Sequence, residues 1–159
     1  MASVRTTLGT QLRRLIEELD GAVGESYKRA GLDYRPRYTP IVRALVQEGP
    51  MTVRALAERA RVSHSAVSQT IAQMAERGLL AMSSGADARE RIVALTPAAV
   101  AMLPELKTRW AATEAAARTL DEDLGQSFGA VLTQVLAALE QRPFLDRILD
   151  HLPKSETLK

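Results

Sequence analysis

Three features of the chain predict a mainly α-helical fold with one small β-hairpin. Apolar residues recur at three- and four-residue intervals through most of its length, the period of a helix with one buried face. Between Leu79 and Leu95 that period gives way to two short apolar runs around a polar, glycine-containing loop. Ser, Thr, Pro and Gly stand at the points where the periodic segments begin and end.

The segment from Leu56 to Thr96 holds the most information. Leu56, Ala57, Ala60 and Val62, followed by Val67, Ile71 and Met74, give two short helices whose apolar faces meet, with Ala57 small enough to let the backbones approach. Ser63 is placed to cap the second helix by accepting from its free N–H groups. With Val67, Ile71 and Met74 turned inward, the outward face carries Ser65, Ser68, Gln69 and Gln73, with His64 at its start. Hydroxyls and amides of this kind hydrogen-bond base edges in a major groove. Taken alone, they are equally compatible with an ordinary solvated helix face.

Glu76-Arg77-Gly78 supplies a charged last turn and a glycine suited to a left-handed cap. Leu79, Leu80 and Met82, then Ile92, Val93 and Leu95, form a hairpin around Ser83, Ser84, Gly85, Ala86 and Asp87, whose tip holds Asp87, Arg89 and Arg91. An arginine there can enter a narrow minor groove, and the aspartate can hold the loop. Thr96-Pro97 closes the unit as cap and first residue of the next helix. Two packed helices followed by a basic hairpin constitute a winged helix-turn-helix.

At these residues the chain resembles the MarR-type transcriptional regulators. The likeness extends in layout from about Leu8 to the C-terminus and is specific from about Thr52 to Pro97. It rests on Val62-Ser63, Val67-Ser68, Glu76-Arg77-Gly78-Leu79, Asp87-Ala88-Arg89 and Leu95-Thr96. The resemblance implies that Ser63 to Gln73 is the groove-reading helix and Arg89 the wing arginine. It further implies a cytoplasmic, homodimeric, double-stranded DNA-binding regulator on a palindromic operator, a repressor released by a small-molecule effector. Two positions depart from the pattern. Arg61 occupies a turn position where glycine is usual, and Gln69 stands where many relatives carry arginine, which favours a bidentate contact to adenine over one to guanine.

The chain has 159 residues, 46% of them apolar and 25% charged, enough for one globular unit with a real core. Its formal charge of +2 is small for a nucleic-acid binder, so positive potential must be local. Arg54, Arg61, Arg77, Arg89 and Arg91 lie in the DNA-binding segment against Glu58, Glu76, Asp87 and Glu90. A dimer would double the phosphate contacts and make binding salt-sensitive. The absence of cysteine excludes disulfides, thiolate zinc sites and thiol redox sensing. The two histidines, His64 and His151, have no paired-ligand spacing, and neither metal nor cofactor is expected. No apolar run has the length of a membrane span. Arg5, Arg13 and Arg14 are followed at once by Glu17, Glu18 and Asp20, so the N-terminus is read as structure rather than a leader.

A first helix is expected from about Thr7 to Arg29 with Leu8, Leu12, Leu15, Ile16, Leu19 and Val23 along one stripe. A loop over Gly31 to Tyr38 leads to a short helix that starts at Thr39-Pro40, runs through Val46 and is ended by Gly49-Pro50, and Thr52 caps the helix entering the motif. Beyond Pro97 a long helix carries Val100, Leu103, Leu106 and Trp110, with Pro104 at a bend or in a first turn. Thr119 and Glu122 have capping-box spacing and predict a further helix with Leu124, Phe128, Val131, Leu132, Val135, Leu136 and Leu139 inward. Pro143 opens a last helix through Leu152.

The expected organisation is thus one chain over 1–159, with a DNA-binding lobe at 39–96 and a helical dimerisation lobe from 5–30 and 97–152. These flanking helices carry more apolar surface than one small domain covers, which predicts a twofold dimer through Leu8, Leu12, Leu15, Leu132, Leu136, Leu139, Phe144, Leu145, Ile148 and Leu149, with recognition helices about 34 Å apart. A monomer with these helices packed together is the alternative. Tyr27, Tyr34, Tyr38 and Trp110 are candidates to line an aromatic effector pocket, or equally to anchor the core. Gly125-Gln126-Ser127-Phe128-Gly129 fits the hydrolase Gly-x-Ser-x-Gly pattern but lies in helical surroundings without the strand that pattern needs, so no enzyme is expected. A winged-helix protein-interaction adaptor is the alternative function.

Overall fold

The computed structural model describes residues 6–85 and 90–153. In chain order the elements are α1 (Leu8–Arg29), a 3-10 turn (Pro36–Tyr38), α2 (Thr39–Glu48), β1 (Met51–Thr52), α3 (Val53–Ala60), α4 (His64–Glu76), β2 (Leu80–Ser84), β3 (Arg91–Leu95), α5 (Pro97–Leu124), α6 (Phe128–Gln141) and α7 (Phe144–Leu149). The chain divides into two compact units, residues 1–111 and 112–159.

The first unit owns the core. Its buried members come from every helix of that unit and from the hairpin, among them Tyr27, Tyr38, Val42, Leu56, Val67, Met74, Val93 and Leu106. Local chemistry fixes the element ends as the sequence predicts. Thr7 caps α1, Thr52 Oγ1 accepts from the Ala55 N–H at 3.1 Å, and Ser63 Oγ accepts from the Ala66 N–H at 3.3 Å. Thr96 serves two elements, accepting from the Ala99 N–H at 3.2 Å and donating its hydroxyl to the Gly78 carbonyl at 2.6 Å.

The short helix expected through Val46 runs to Glu48 and is stopped, as expected, by Gly49 at φ 79°. Two expectations need correction. The hairpin is not a two-stranded ribbon: Met51 and Thr52 pair with Val93 and Ile92, giving an antiparallel sheet in the order β1-β3-β2. Ser83 and Ser84, expected in the loop, continue β2 opposite Ile92 and Arg91, so Arg91 begins a strand instead of sitting at the tip.

In the second unit the capping box at Thr119 does not form. α5 runs through it to Leu124, because the Thr119 hydroxyl bonds back to the Ala116 carbonyl at 2.7 Å and leaves the helix ladder intact. Pro104 lies inside α5 rather than in its first turn. The break comes at Gly125, and α6 then starts with Ser127 as its cap and the Phe128 N–H bonded to Asp121 Oδ1 at 2.8 Å. The Gly-x-Ser-x-Gly segment is therefore a helix stop, a cap and a helix start. Residues 144–149 form α7, shorter than the sequence suggests, and the Arg147 guanidinium ties it back by donating to the Ala138 and Arg142 carbonyls.

Candidate nucleic-acid interface

The inward stripe of α4 is firmly seated: Val67, Ile71 and Met74 are all buried, against Leu56 and Ala57 of α3. Burying three such side chains contributes on the order of 5 kcal/mol before entropy is counted, which makes α4 a rigid platform. Its opposite face shows His64, Ser65 and Gln69 exposed, with Ser68 half-buried. The Ser68 hydroxyl lies 3.5 Å from His64 Nδ1, and the Ser63 and Ser65 hydroxyls are 3.3 Å apart. No acidic residue occupies the first turn of α4, so the positive end of its dipole is not offset there. The first half of α4 is thus a short-chained, hydrogen-bonding surface at a positive helix end.

The second half is engaged within the chain. Gln73 is half-buried and its amide oxygen accepts from the Arg37 guanidinium, while Arg77 forms an ion pair with Asp33. Both partners sit on the loop and turn after α1. Neither contact is visible in the sequence, since the partners lie 36 and 44 residues away. Arg54 is exposed at the start of α3 and pairs with Glu58 at 3.3 Å, and Arg59 pairs with Glu48 at 3.0 Å.

On the wing, the strands keep register out to Ser84 and Arg91, and the Gly85 N–H donates to the Glu90 carbonyl at 2.8 Å. Arg91 is exposed beside Met82, Ser83 and Ser84 along an open groove. Asp87 and Arg89, the predicted wing-tip pair, lie outside the described residues.

The predicted aromatic residues do come together, as part of the core. Tyr27 and Tyr34 meet edge to face at 5.0 Å between ring centroids, and Tyr34 and Tyr38 at 5.6 Å. The Thr39 hydroxyl lies 3.4 Å from the hydroxyls of both Tyr27 and Tyr34. The Arg43 guanidinium stacks 4.8 Å from the centre of the buried Trp110 ring. Tyr38 Oη and Trp110 Nε1 are buried without a hydrogen-bond partner among the described residues. Burial pushes the Tyr34 phenol above its ordinary value, with the Thr39 hydrogen bond opposing.

The residues assigned to dimerisation are largely uncovered. Leu8, Leu12, Leu132, Leu136, Phe144, Leu145, Ile148 and Leu149 are exposed, and Leu15 and Leu139 are half-buried. From residue 112 to residue 153 no side chain is buried at all, although α6 carries Val131, Leu132, Val135, Leu136 and Leu139. Among the described residues there is no helix long and apolar enough to cross a membrane, and no group of three or more His, Asp or Glu placed to hold a metal ion.

Comparison with known proteins agrees with this geometry. Residues 31–90 match the model of the MarR family. The fold is similar to that of the PcaV transcriptional regulator from Streptomyces coelicolor, solved in complex with its natural ligand, with a TM-score of 0.66 and 20% identity over 89% of this chain and 99% of that one. The M. tuberculosis transcriptional regulator MOSR, solved in complex with DNA, has a TM-score of 0.67 and 21% identity over 86% of this chain and 98% of that one. The MarR family transcriptional regulator SPO1453 from Silicibacter pomeroyi DSS-3 has a TM-score of 0.62 and 26% identity over 87% and 99% of the two chains. No curated protein sequence matches the chain.

Proposed function

We propose that the chain, whose residues 31–90 match the MarR family model, is a DNA-binding transcriptional regulator of that type, and that it binds a palindromic operator as a homodimer, represses by occupying it, and is released by a small-molecule effector. The observation that carries the reading is the first half of α4. Ser63 caps it, three buried side chains hold it, and His64, Ser65, Ser68 and Gln69 face away from the core. A helix presented in this way fits the major groove with its N-terminal residues at base edges. Arg54, Arg91 and the wing residues Asp87 and Arg89 are proposed to flank it at the phosphates and minor groove. Gln73 and Arg77, already engaged with Arg37 and Asp33, are proposed to set the pitch of the helix instead of reading bases.

Dimerisation is supported by the apolar surface that each unit leaves uncovered, on α1 in the first and on α6 and α7 in the second. A twofold dimer places two recognition helices on one face of the duplex, and steric block of polymerase follows. An effector that prefers another spacing of those helices shifts the population off DNA by its differential affinity. The two orphaned polar atoms, Tyr38 Oη and Trp110 Nε1, are groups an aromatic effector could satisfy if the cluster opened.

The test is equilibrium binding of labelled duplex over a range of salt. A DNA regulator gives affinity that falls linearly in log–log form, and Arg89→Ala lowers both affinity and slope. An interaction adaptor gives no duplex binding above background at low salt.

A further inference from the structure

Four helices of this chain end in the same hydrogen-bonded turn. After α1, the N–H groups of Leu32 and Gly31 bond to Tyr27 and Lys28; after α4, those of Leu79 and Gly78 bond to Met74 and Ala75. After α5, those of Gln126 and Gly125 bond to Asp121 and Glu122, and after α3, those of Val62 and Arg61 bond to Ala57 and Glu58. Each turn needs one residue in the left-handed region. In three it is glycine, at φ 71°, 69° and 66°; in the fourth it is Arg61, at φ 52° and ψ 40°.

Arg61 is the only non-glycine residue with positive φ among the described residues. Its Cβ crowds the backbone there, a strain that glycine would not incur. The turn therefore gains nothing from arginine as a backbone unit, and the reason for it lies in the side chain. That side chain is exposed and has no hydrogen bond, ion pair or ring contact among the described residues. The neighbouring arginines differ, since Arg54, Arg59 and Arg77 are held by Glu58, Glu48 and Asp33. Arg61 also stands two residues before Ser63, the cap at the positive end of α4.

We propose that Arg61 is a DNA-backbone contact: its guanidinium reaches a phosphate at the rim of the major groove as α4 enters it. A planar guanidinium grips phosphate oxygens in pairs, and an unpaired one surrenders no intrachain partner on doing so. The inference rests on the DNA-binding reading above and adds a residue to it. The competing role is structural, with Arg61 placed to offset the negative C-terminus of α3.

Stability and binding separate the two. Full-length wild type, Arg61→Gly, Arg61→Asn and Arg61→Lys are compared by thermal unfolding and by binding to a mixed-sequence duplex across a salt series. Glycine and asparagine both tolerate the left-handed turn, so either keeps the fold. The expected result is that Arg61→Gly melts at the wild-type temperature or up to about 4 °C above it, yet binds on the order of tenfold more weakly. Its salt slope falls by about one per copy, Arg61→Asn behaves alike, and Arg61→Lys restores the slope. Wild-type affinity and slope in both uncharged variants would overturn the proposal and leave the DNA-binding reading standing. Absence of salt-dependent duplex binding by the wild type would overturn both.

Discussion

Asp33, just beyond the end of α1, is ion-paired to Arg77 at the end of α4, so α4 is tethered at its far end to the loop that leaves the first helix. Arg37 repeats the tether one turn earlier through Gln73. Asp33 is largely exposed, with 81% of its side chain accessible, so the pair should contribute under about 1 kcal/mol to stability. Its expected effect is on α4 instead. In a double-mutant cycle of Asp33→Ala and Arg77→Ala, urea unfolding should show weak coupling while the two single variants weaken DNA binding alike. A purely phosphate-binding Arg77 would instead make Arg77→Ala harmful and Asp33→Ala harmless.

Tyr38 buries a hydroxyl that has no partner among the described residues. Removing an unsatisfied buried polar group is neutral or favourable, so Tyr38→Phe should hold or raise stability by up to about 1–3 kcal/mol in urea unfolding. A loss beyond about 1 kcal/mol would mean that the hydroxyl is bonded in solution.

Tyr34 carries a pH dependence. Burial favours its neutral phenol and raises its pKa in the folded state, so its contribution to stability is complete below about pH 10 and is lost as pH rises above that. Tyr34→Phe, whose ring cannot ionise, should shift alkaline unfolding to higher pH. The measurement is the unfolding free energy from pH 8 upward.

Thr96 joins the turn after α4 to the start of α5 with one hydroxyl, accepting from Ala99 and donating to Gly78. Thr96→Val keeps the shape and loses both bonds, at an expected cost of about 1–2 kcal/mol by urea unfolding, and Thr96→Ser should restore most of it.

Leu136 and Leu145 belong to a stretch in which no side chain is buried, yet both are large and apolar. Leu136→Asp and Leu145→Asp should shift the protein from dimer to monomer by light scattering at micromolar concentration and weaken operator binding in step. A wild-type protein that is monomeric at that concentration would contradict the dimer.

Much of this organisation is legible in the sequence, and the parts that are not share a cause. α4 is evident because Val67, Ile71 and Met74 keep helical period between a serine cap and a glycine stop, all within fifteen or so neighbouring residues. β1 escapes because two residues have no period and pair with Val93 and Ile92 some forty positions on. The Thr119 cap misleads because a hydroxyl can bond forward to end a helix or backward to continue it, and only the surroundings decide. The tethers of Arg37 and Asp33 are long-range pairings of exposed charged and amide groups, which leave no local pattern. Arg61 stands out in the sequence as a departure at the turn, but its lack of a partner among the described residues depends on where the fold places Glu48, Glu58 and Asp33, which the other arginines take.

The most direct test of the whole account is selection of bound duplexes from a random pool, for wild type and for Gln69→Ala. The expected result is an inverted repeat whose half-sites lie about 10 bp apart centre to centre, as a twofold pair of recognition helices requires. Gln69→Ala should relax preference at one symmetric base pair, by about 1–3 kcal/mol if the amide contact is bidentate. Recovery of no enriched sequence, or of one without twofold symmetry, would contradict it.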